Sequence, residues 1–449
     1  MCSKSSSGGA HALVQSKGDS KAAAMNYIRY FTKISMARKP SITRSLVGIL
    51  LESPPTMISM ATGMPNATLF PVEEASFKLQ NGTTLSMSKT EMQRVQQYSE
   101  TQGFPELIKW LGDLQEYSHN VSALNRSGDQ KIKIALTCGS QDGLSKLFDA
   151  VVNENDYVLC ETPCYSGLNA VLRPLHPRML GVKTDKDGII PSELLRILSK
   201  WSPLDAKDPN SDIPKVIYMV PTGCNPTGIN YTLERKKEIY EIARTYDLLI
   251  VEDDAYYYLQ YSQDYIPSFL SLDVDGRVVR ADSFSKLISS GLRCGFITGP
   301  AYVVDRILLH LQTSTVHVSG LTQFLIYKIL TEWGLSGFRE HTKKVAEFYE
   351  KRRDITIDAA EKHLKGIAEW NVPAGGMFLW LKLIGIEDTY KLIMEKGKEK
   401  DILFVPGSAF MPSNEPCPYI RAAFSLCDTQ DIYLAFQRLA ELVKEQRGY

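Results

Sequence analysis

Short apolar runs alternate with amphipathic segments through the middle of this 449-residue chain. The runs predicted as strands are 132–136, 156–161, 215–221, 247–254, 277–283 and 294–299. Segments between them, such as 232–246, have helical periodicity, so we expect an α/β body with a mostly parallel central sheet. In such sheets ligands bind beyond the carboxyl ends of the strands, which makes the residues after each strand the candidates for chemistry.

The pattern changes after residue 300. Long helical patterns run through roughly 301–365, a strand that begins with glycine follows at 375–383, and a final helix is predicted at 429–446. We interpret this part as a smaller α/β domain that closes on the larger one. The predicted parts are a disordered leader (1–24), an N-terminal arm with part of the small domain (25–70), a large binding domain (71–330) and a small C-terminal domain (331–449).

Composition narrows the class of protein. The chain has 44% hydrophobic residues, and its 51 basic side chains are balanced by 51 acidic ones. This balance argues against a dedicated nucleic-acid binder, and no apolar run is long enough to span a membrane. The eight cysteines are scattered without zinc-site spacing, so we expect no metal and a reducing compartment.

The N-terminal region leaves two interpretations open. From Met25 to Leu51 the chain carries five basic residues and no acidic one. Such a segment is typical of a mitochondrial transit sequence, but it is equally compatible with a surface arm of the fold. We therefore expect a mitochondrial or cytoplasmic protein, with preference for the mitochondrion.

Two of the four chemical motifs are glycine-containing turns after strands. The segment GSQDG (139–143) opens a helix, whose free N–H groups bind phosphate, and Ser140 and Gln141 would add side-chain donors. A structural N-cap serine explains Ser140 as well. In PTGCNPTG (221–228), Asn225 lies on a tight turn and would face the crevice.

The other two motifs place charges at strand ends. Asp253 ends an apolar strand, where a buried carboxylate needs a partner such as a protonated pyridine nitrogen, and Tyr256 follows three residues later. Lys286 follows the next strand, and a desolvated or cation-flanked lysine can form a Schiff base. The residues that supply phosphate contacts near it are Ser283, Ser285 and Arg293.

Taken in order, these motifs resemble the aspartate-aminotransferase-like enzymes, the fold type I family that uses pyridoxal 5'-phosphate. Within that family, the segments MISMATGMPN, TPCYSG, EWNVPAGGMFLWLK and PYIRAAFS resemble the kynurenine/2-aminoadipate aminotransferase branch. The similarity runs from about Met25 to the C-terminus. It implies a large domain with a mostly parallel central sheet and a smaller α/β domain.

The resemblance implies a role for each motif residue. Lys286 would hold the cofactor covalently and shuttle the proton between the substrate Cα and the cofactor C4′, while Asp253 would keep the ring nitrogen protonated. Asn225 and Tyr256 would hydrogen-bond the phenolic oxygen of the ring, and Tyr165 would stack on its face. The residues implied for the phosphate are Ser140, Gln141, Ser283, Ser285, Arg293 and, from the other subunit, Tyr98.

The same resemblance implies the substrate site. Arg421 would bind the α-carboxylate with its planar guanidinium, and Phe378 would add an apolar wall for an aromatic substrate. Arg44 and Gly63 would line the side-chain pocket, where Arg44 could meet a distal carboxylate. Met64 stands where the branch often has leucine, which leaves the side-chain preference open.

The leading hypothesis is a ping-pong aminotransferase that moves the amino group of 2-aminoadipate, kynurenine or another aromatic L-amino acid to 2-oxoglutarate. It implies small-molecule substrates and a homodimer with shared active sites, without nucleic acid or membrane. A pyridoxal-phosphate β-lyase of the cysteine-conjugate type is the alternative, since it keeps Lys286, Asp253 and Arg421. A regulatory protein with an aminotransferase-like sensor would need a basic DNA-binding module, for which the short N-terminal region has no room.

Overall fold

The structure, a computed structural model, describes residues 25–42, 46, 49–50, 53–54, 56–61, 63–121, 131–413 and 415–448. The predicted leader (1–24) and the candidate residue Arg44 lie outside these described residues. All structural statements below concern the described residues.

The strands follow the apolar runs of the sequence and add several that the runs did not predict. They are β1 (Ala75–Lys78), β2 (Thr84–Met87), β3 (Ile132–Thr137), β4 (Tyr157–Thr162), β5 (Arg178–Asp185), β6 (Gly188–Ile189), β7 (Val216–Met219), β8 (Leu249–Asp253), β9 (Val278–Ser283), β10 (Gly295–Pro300), β11 (Ala368–Trp370), β12 (Phe378–Leu383), β13 (Val405–Pro406) and β14 (Tyr419–Ala423).

The α-helices are α1 (Lys33–Ala37), α2 (Lys89–Val95), α3 (Pro105–His119), α4 (Ser140–Val151), α5 (Ser166–Leu172), α6 (Pro191–Leu198), α7 (Leu233–Thr245), α8 (Phe269–Leu272), α9 (Ala301–Gln312), α10 (Gly320–Leu364), α11 (Gly397–Glu399) and α12 (Thr429–Arg447). Short 3₁₀ turns occupy Tyr27–Tyr30, Ala67–Leu69, Arg173–Leu175, Pro203–Lys207, Tyr257–Leu259, Phe284–Lys286 and Gly407–Phe410, and a π-helical turn occupies Leu392–Lys396. Helix α10 is broken at Gly334, whose backbone is not helical (φ 60°, ψ −176°).

An eight-stranded sheet in the order β3-β10-β9-β8-β7-β4-β5-β6 forms the centre of the molecule. Strands β5, β4, β7, β8 and β9 pair in parallel, and β10 runs antiparallel to both β9 and β3. The prediction of a mostly parallel central sheet is therefore confirmed. Strand β5 escaped the sequence pattern because polar and glycine residues interrupt its apolar positions.

The sheet is buried on both faces by helices. Every residue of β7, β8, β9 and β10 is buried, which explains why these segments form continuous apolar runs rather than alternating ones. Helix α4 shows the complementary pattern, since its buried residues Leu144, Leu147, Phe148 and Val151 are three or four positions apart.

The direction of the strands brings their carboxyl ends to one edge. Because β10 is antiparallel to both of its neighbours, β3 runs in the same direction as β9. The segments after β3, β4, β7, β8 and β9 therefore emerge at a common edge, and these segments carry Ser140, Tyr165, Asn225, Asp253 and Lys286.

A second, antiparallel sheet has the order β11-β12-β14-β13 and is built from the C-terminal part of the chain. In its register Trp380 lies opposite Arg421, and Phe378 lies opposite Ala423. This pairing places Phe378 and Arg421 on neighbouring strands. None of the helices in the described part of the chain is long and apolar enough to cross a membrane.

Candidate active site

A cavity of about 440 Å³ opens where the carboxyl edge of the large sheet meets the small sheet. The residues that line it are Ser140, Gln141, Tyr165, Val220, Asn225, Asp253, Ala255, Tyr256, Ser283, Ser285, Lys286, Ser290, Arg293, Met377, Phe378, Arg421 and Ser425. Three side chains in this set are cationic and one is a carboxylate, so the cavity favours an anionic ligand.

One end of the cavity is built to hold an anion. Helix α4 begins at Ser140, and the guanidinium of Arg293 lies beside this helix start, with Nη2 donating to the Cys138 carbonyl (3.2 Å) and Nη1 to Ser285 Oγ (3.3 Å). A Cβ on Gly139 (φ 83°) would lie 2.5 Å from Arg293 Nη2, so this close approach requires glycine. The helix N-terminus and a guanidinium therefore converge on one place.

Arg293 itself has a left-handed backbone (φ 49°). This conformation is unfavourable for a residue with a Cβ by about 1–2 kcal/mol, and such residues cluster at functional sites. The surrounding turn stabilises this backbone conformation, since Arg293 Nη1 also donates to the Ser290 carbonyl (3.1 Å).

Gln141 and Tyr165 border the same end. Gln141 Nε2 donates to the Gly167 carbonyl (3.0 Å), while its Oε1 is buried and has no hydrogen-bond partner among the described residues. Gly167 lies directly under the Tyr165 ring, where a Cβ would overlap the ring atoms. Burial, together with the nearby Asp253 carboxylate, raises the pKa of the Tyr165 hydroxyl, so Tyr165 presents a neutral aromatic ring to the cavity.

Asp253 also lines the cavity and is only 5% exposed. Its Oδ2 accepts a hydrogen bond from the Tyr218 hydroxyl (2.7 Å) on the neighbouring strand β7. Burial raises the pKa of Asp253 to about 7, with the Tyr218 hydrogen bond acting in the opposite direction. This carboxyl therefore gains a proton or a cationic partner more readily than an exposed aspartate.

Lys286 and Arg421 both line the cavity, and neither has a carboxylate within ion-pair distance among the described side chains. Burial lowers the pKa of Lys286, and the positive charges of Arg293 and Arg421 lower it further. Burial also lowers the pKa of Arg421. A lysine of this kind releases its proton at lower pH than a solvated lysine and becomes nucleophilic.

Arg421 is oriented by contacts on both sides of the cavity. Its Nη1 donates to Asn225 Oδ1 (2.8 Å), its guanidinium lies over the Phe378 ring (4.5 Å to the centroid), and its buried Nε has no partner in the described part of the chain. Because Asn225 Oδ1 accepts from Arg421, the Asn225 amide N–H₂ remains as a donor. The Tyr256 ring packs edge-on against Phe378 (5.7 Å).

Most of the predicted site residues meet in this cavity. Those that line it are Ser140, Gln141, Tyr165, Asn225, Asp253, Tyr256, Ser283, Ser285, Lys286, Arg293, Phe378 and Arg421. Gly63 and Tyr98 are exposed and do not line it within one chain, and Arg44 lies outside the described residues.

Sequence reasoning missed several neighbours. Tyr218, which donates to Asp253, is one polar group within the apolar run VIYMV, and that interruption was the available signal. Ser290 belongs to the SSGLR segment between Lys286 and Arg293 and had no separate signal. The Phe410 ring lies 5.1 Å from the Arg421 guanidinium. Phe410 ends the turn Gly407–Phe410, which none of the sequence motifs included.

Comparison with known proteins shows which family this chain belongs to. Residues 57–431 match the aminotransferase class I and II family. The chain is 49% identical over 423 residues to the mitochondrial kynurenine/alpha-aminoadipate aminotransferase of Bos taurus, covering 94% of this chain and 100% of that relative. The chain thus belongs to the class I and II aminotransferases.

Solved structures agree with this assignment. An aminotransferase from Candida albicans superimposes with a TM-score of 0.83 at 26% identity, covering 96% of this chain and 100% of that one. A kynurenine aminotransferase from Pyrococcus horikoshii, in complex with PMP, KYN as substrates and KYA as products, gives a TM-score of 0.71 at 27% identity, covering 94% and 98%. The fold, the aminotransferase activity and the resemblance to the kynurenine/2-aminoadipate branch are thereby confirmed, and the β-lyase alternative is not favoured.

Proposed function

We propose that this aminotransferase uses pyridoxal 5'-phosphate, held by Lys286, to move the amino group of an L-amino acid to 2-oxoglutarate in a ping-pong reaction. The observation that carries the proposal is the convergence of three cations, Lys286, Arg293 and Arg421, with the carboxylate Asp253 in one cavity, where none of the three cations has a carboxylate partner among the described residues. A phosphate suits Arg293, a substrate carboxylate suits Arg421 and a protonated ring nitrogen suits Asp253, which leaves the Lys286 amine for the covalent bond to the cofactor.

The donor set of the cavity fits this cofactor. The α4 N-terminus and Arg293 suit its phosphate, since both present N–H donors. Gln141 Nε2 already donates to the Gly167 carbonyl, and its Oε1, an acceptor, has no partner among the described residues. Asp253 suits a pyridinium nitrogen because its raised pKa favours a shared proton. The relative from Pyrococcus horikoshii was solved with PMP, the pyridoxamine form of this cofactor.

The bound cofactor supplies an electron sink and a carrier for the amino group. Lys286 Nζ, whose pKa is lowered, anchors the cofactor and afterwards takes and returns the proton at the substrate Cα. Asp253 holds the ring nitrogen in its protonated form. Arg421 binds the α-carboxylate, and its contacts with Asn225 and Phe378 keep the guanidinium turned toward the cavity.

The remaining lining residues orient these partners. Burial raises the pKa of the Tyr256 hydroxyl, so it stays protonated and would donate to the phenolic oxygen of the ring, together with the Asn225 amide. Tyr165 would cover the face of the ring. Ser140, Gln141, Ser283, Ser285 and Arg293 would hold the phosphate, and Tyr98 of a second subunit would complete that site.

The amino donor is 2-aminoadipate, kynurenine or another aromatic amino acid. The name of the bovine relative supports the first two, and Phe378 supports an aromatic donor by its position beside Arg421. Arg44 and Gly63 remain proposed as lining residues of the side-chain pocket. A panel of donors with 2-oxoglutarate as acceptor measures the preference, and release of pyruvate and ammonia instead of a 2-oxo acid would indicate lyase chemistry.

The assembly proposed here is a homodimer in the mitochondrion. Large apolar side chains in the N-terminal arm are open to solvent in the single chain, among them Ile58 (91%), Met60 (99%) and Leu69 (81%), and a second subunit would cover them. The name of the bovine relative and the basic segment after Met25 support a mitochondrial location.

The domain limits are proposed at 25–70, 71–330 and 331–449. The eight-stranded sheet falls within 132–300 and the four-stranded sheet within 368–423, which supports this division. The limit between 330 and 331 lies within α10, four residues before the break at Gly334.

Replacement of Lys286 by alanine tests the proposed function. Purified wild-type protein is expected to be yellow from the cofactor bound to Lys286, and Lys286→Ala is expected to lose this colour and at least about 10³-fold in kcat. Lys133→Ala, which removes a surface ion pair with Asp305, is the control and should retain both. Full transamination by folded Lys286→Ala protein would refute the mechanism.

A further inference from the structure

A hydrogen bond joins helix α5, which follows strand β4 of the large sheet, to the segment after the turn Gly407–Phe410. Asn169, in helix α5, is only 6% exposed, and its Nδ2 donates to the Met411 carbonyl (3.1 Å). Its Oδ1 accepts from the buried Cys164 thiol (3.3 Å), so both ends of the amide are occupied. A buried asparagine is unfavourable unless its polar atoms are satisfied. Here Oδ1 is satisfied within the same segment, by Cys164, and Nδ2 is satisfied across the contact, by Met411.

The backbone forms a second bond at the same place. The Cys164 N–H donates to the Phe410 carbonyl (2.8 Å), directly beside the bond between Asn169 and Met411. Cys164 immediately precedes Tyr165, whose ring lines the cavity. The turn Gly407–Phe410 is therefore attached to the segment that follows strand β4 of the large sheet.

This turn determines what surrounds the guanidinium of Arg421. The Phe410 ring is fully buried and lies 5.1 Å from the guanidinium, with the Phe378 ring at 4.5 Å. Trp380, opposite Arg421 in the sheet, packs edge-on against Phe410 (5.5 Å). Among the described residues the Arg421 guanidinium donates one hydrogen bond, to Asn225, so the two rings supply most of the constraint on its plane.

We propose that Asn169 is a positioning residue, which holds the Phe410 ring against Arg421 and thereby orients the guanidinium for the carboxylate of the substrate. The inference rests on the proposed role of Arg421 in binding the α-carboxylate. Asn169 does not line the cavity and acts only through Met411, Phe410 and Arg421. No motif of the sequence indicated it, because the amide joins segments 242 residues apart.

Asn169→Leu, which keeps the size of the side chain but removes both hydrogen bonds, tests the proposal. We expect the KM of every amino-acid donor to rise about tenfold while kcat changes less than about twofold, since a guanidinium free to rotate binds the carboxylate less often. The Kd of 3-phenylpropionate, which carries a carboxylate but no amino group, should rise by a similar factor in calorimetry. Cofactor absorbance and cofactor affinity should stay as in the wild type.

Two controls separate positioning from general destabilisation. Thr342→Val removes another buried side-chain hydrogen bond to a backbone carbonyl (3.0 Å, to Arg339) away from the cavity, and it should lower Tm without raising KM. If Asn169→Leu does not fold, Asn169→Ser, whose shorter side chain cannot reach Met411, replaces it. An unchanged KM and Kd in whichever folded variant is measured would refute the proposal.

A double variant tests the route of the effect. Phe410→Leu should raise KM by itself, and Asn169→Leu combined with Phe410→Leu should raise it little further, because both changes release the same ring contact. A combined effect equal to the product of the single effects would show that Asn169 acts independently of Phe410 and would overturn the proposed route. If wild-type protein does not transaminate at all, the proposed function fails instead, and the 3-phenylpropionate titration still reports on the contact.

Discussion

At the scale of single residues, the proposed chemistry depends on two ionisable side chains, Asp253 and Lys286, that the fold buries away from water. Asp253 has a raised pKa because it is buried, and Lys286 has a lowered one for the same reason, with Arg293 and Arg421 adding to the effect. Neither group would show such a shift on a solvated surface. The lowered pKa makes Lys286 a better base than a solvated lysine, and the raised pKa of Asp253 suits a carboxyl that shares a proton with a partner.

The pH dependence of stability tests the burial of Asp253. Its pKa rises from an ordinary value of 3.8 to about 7, so the folded cofactor-free protein binds an extra proton between these values. The unfolding free energy should consequently fall as pH rises through this window. Between pH 5 and pH 8, denaturant titration should show about 3 kcal/mol more loss in the wild type than in Asp253→Asn.

Other buried carboxyls with raised pKa values are present in both proteins. The pKa of Glu161 is raised mainly by burial and only in small part by the Asp253 charge, so most of its contribution cancels in this comparison. Parallel stability curves for the wild type and Asp253→Asn would mean that Asp253 is solvated in the folded protein.

The proposed role of Arg421 in binding the α-carboxylate gives a second prediction for a single residue. Arg421→Ala should lower kcat/KM about 100-fold for every amino-acid donor, since each donor carries the same α-carboxylate. Steady-state kinetics with several donors measures this, and Arg438→Ala, which removes a surface ion pair with Asp401, is the control. A loss confined to one donor would assign Arg421 to recognition of the donor side chain.

At the scale of elements, the site is a consequence of parallel strands that end at one edge. Buried strands β7, β8 and β9 each deliver one functional residue or turn at their carboxyl ends, and helix α4 begins at the end of β3. Local patterns predicted the ends of these strands to within two residues, because continuous apolar runs between turns identify buried strands. The hairpin β1–β2 and strand β5 were missed, since their exposed faces carry polar residues.

The close approach of the Arg293 guanidinium to the turn between β3 and α4 can be tested at Gly139. In Gly139→Ala the new Cβ would displace the Arg293 guanidinium, which a flexible side chain permits, so cofactor affinity should fall about tenfold. The positive φ adds about 1 kcal/mol of destabilisation. Gly82→Ala is a matched control, because Gly82 also has a positive φ (91°) but has no atom within 4 Å of the added Cβ.

Cofactor affinity, measured by fluorescence quenching during titration of the apoprotein, distinguishes the two glycine variants. Equal cofactor affinity in Gly139→Ala and Gly82→Ala would contradict the role given to Arg293.

At the scale of the whole molecule, the single chain carries a nearly complete cavity beside an exposed apolar arm. Tyr98 is half exposed and lies outside the cavity of its own chain, as a residue that serves a second subunit would. The proposed dimer accounts for both observations with one interface of two-fold symmetry.

Subunit complementation tests this arrangement. Tyr98→Ala and Lys286→Ala should each be impaired as pure proteins, whereas a heterodimer of the two contains one site with both native residues. Random mixing of equal amounts after mild denaturation should therefore recover about a quarter of wild-type activity. Activity no higher than that of the two separate proteins would place Tyr98 outside the partner's site.

The sequence by itself determined the enzyme family of this protein. Motifs at strand ends made Lys286, Asp253, Asn225 and Arg293 candidates for the chemistry, because apolar periodicity and turn residues are local properties of the sequence. Their order along the chain was enough to indicate the enzyme family, which the comparisons confirm.

Only the tertiary structure showed which hydrogen bonds hold these side chains in place. The hydrogen bonds from Tyr218 to Asp253, from Arg421 to Asn225 and from Asn169 to Met411 join segments 35, 196 and 242 residues apart. Such contacts depend on which strands become neighbours and on how the two sheets meet. No local pattern encodes that packing, so the supporting residues of the site became visible only in three dimensions.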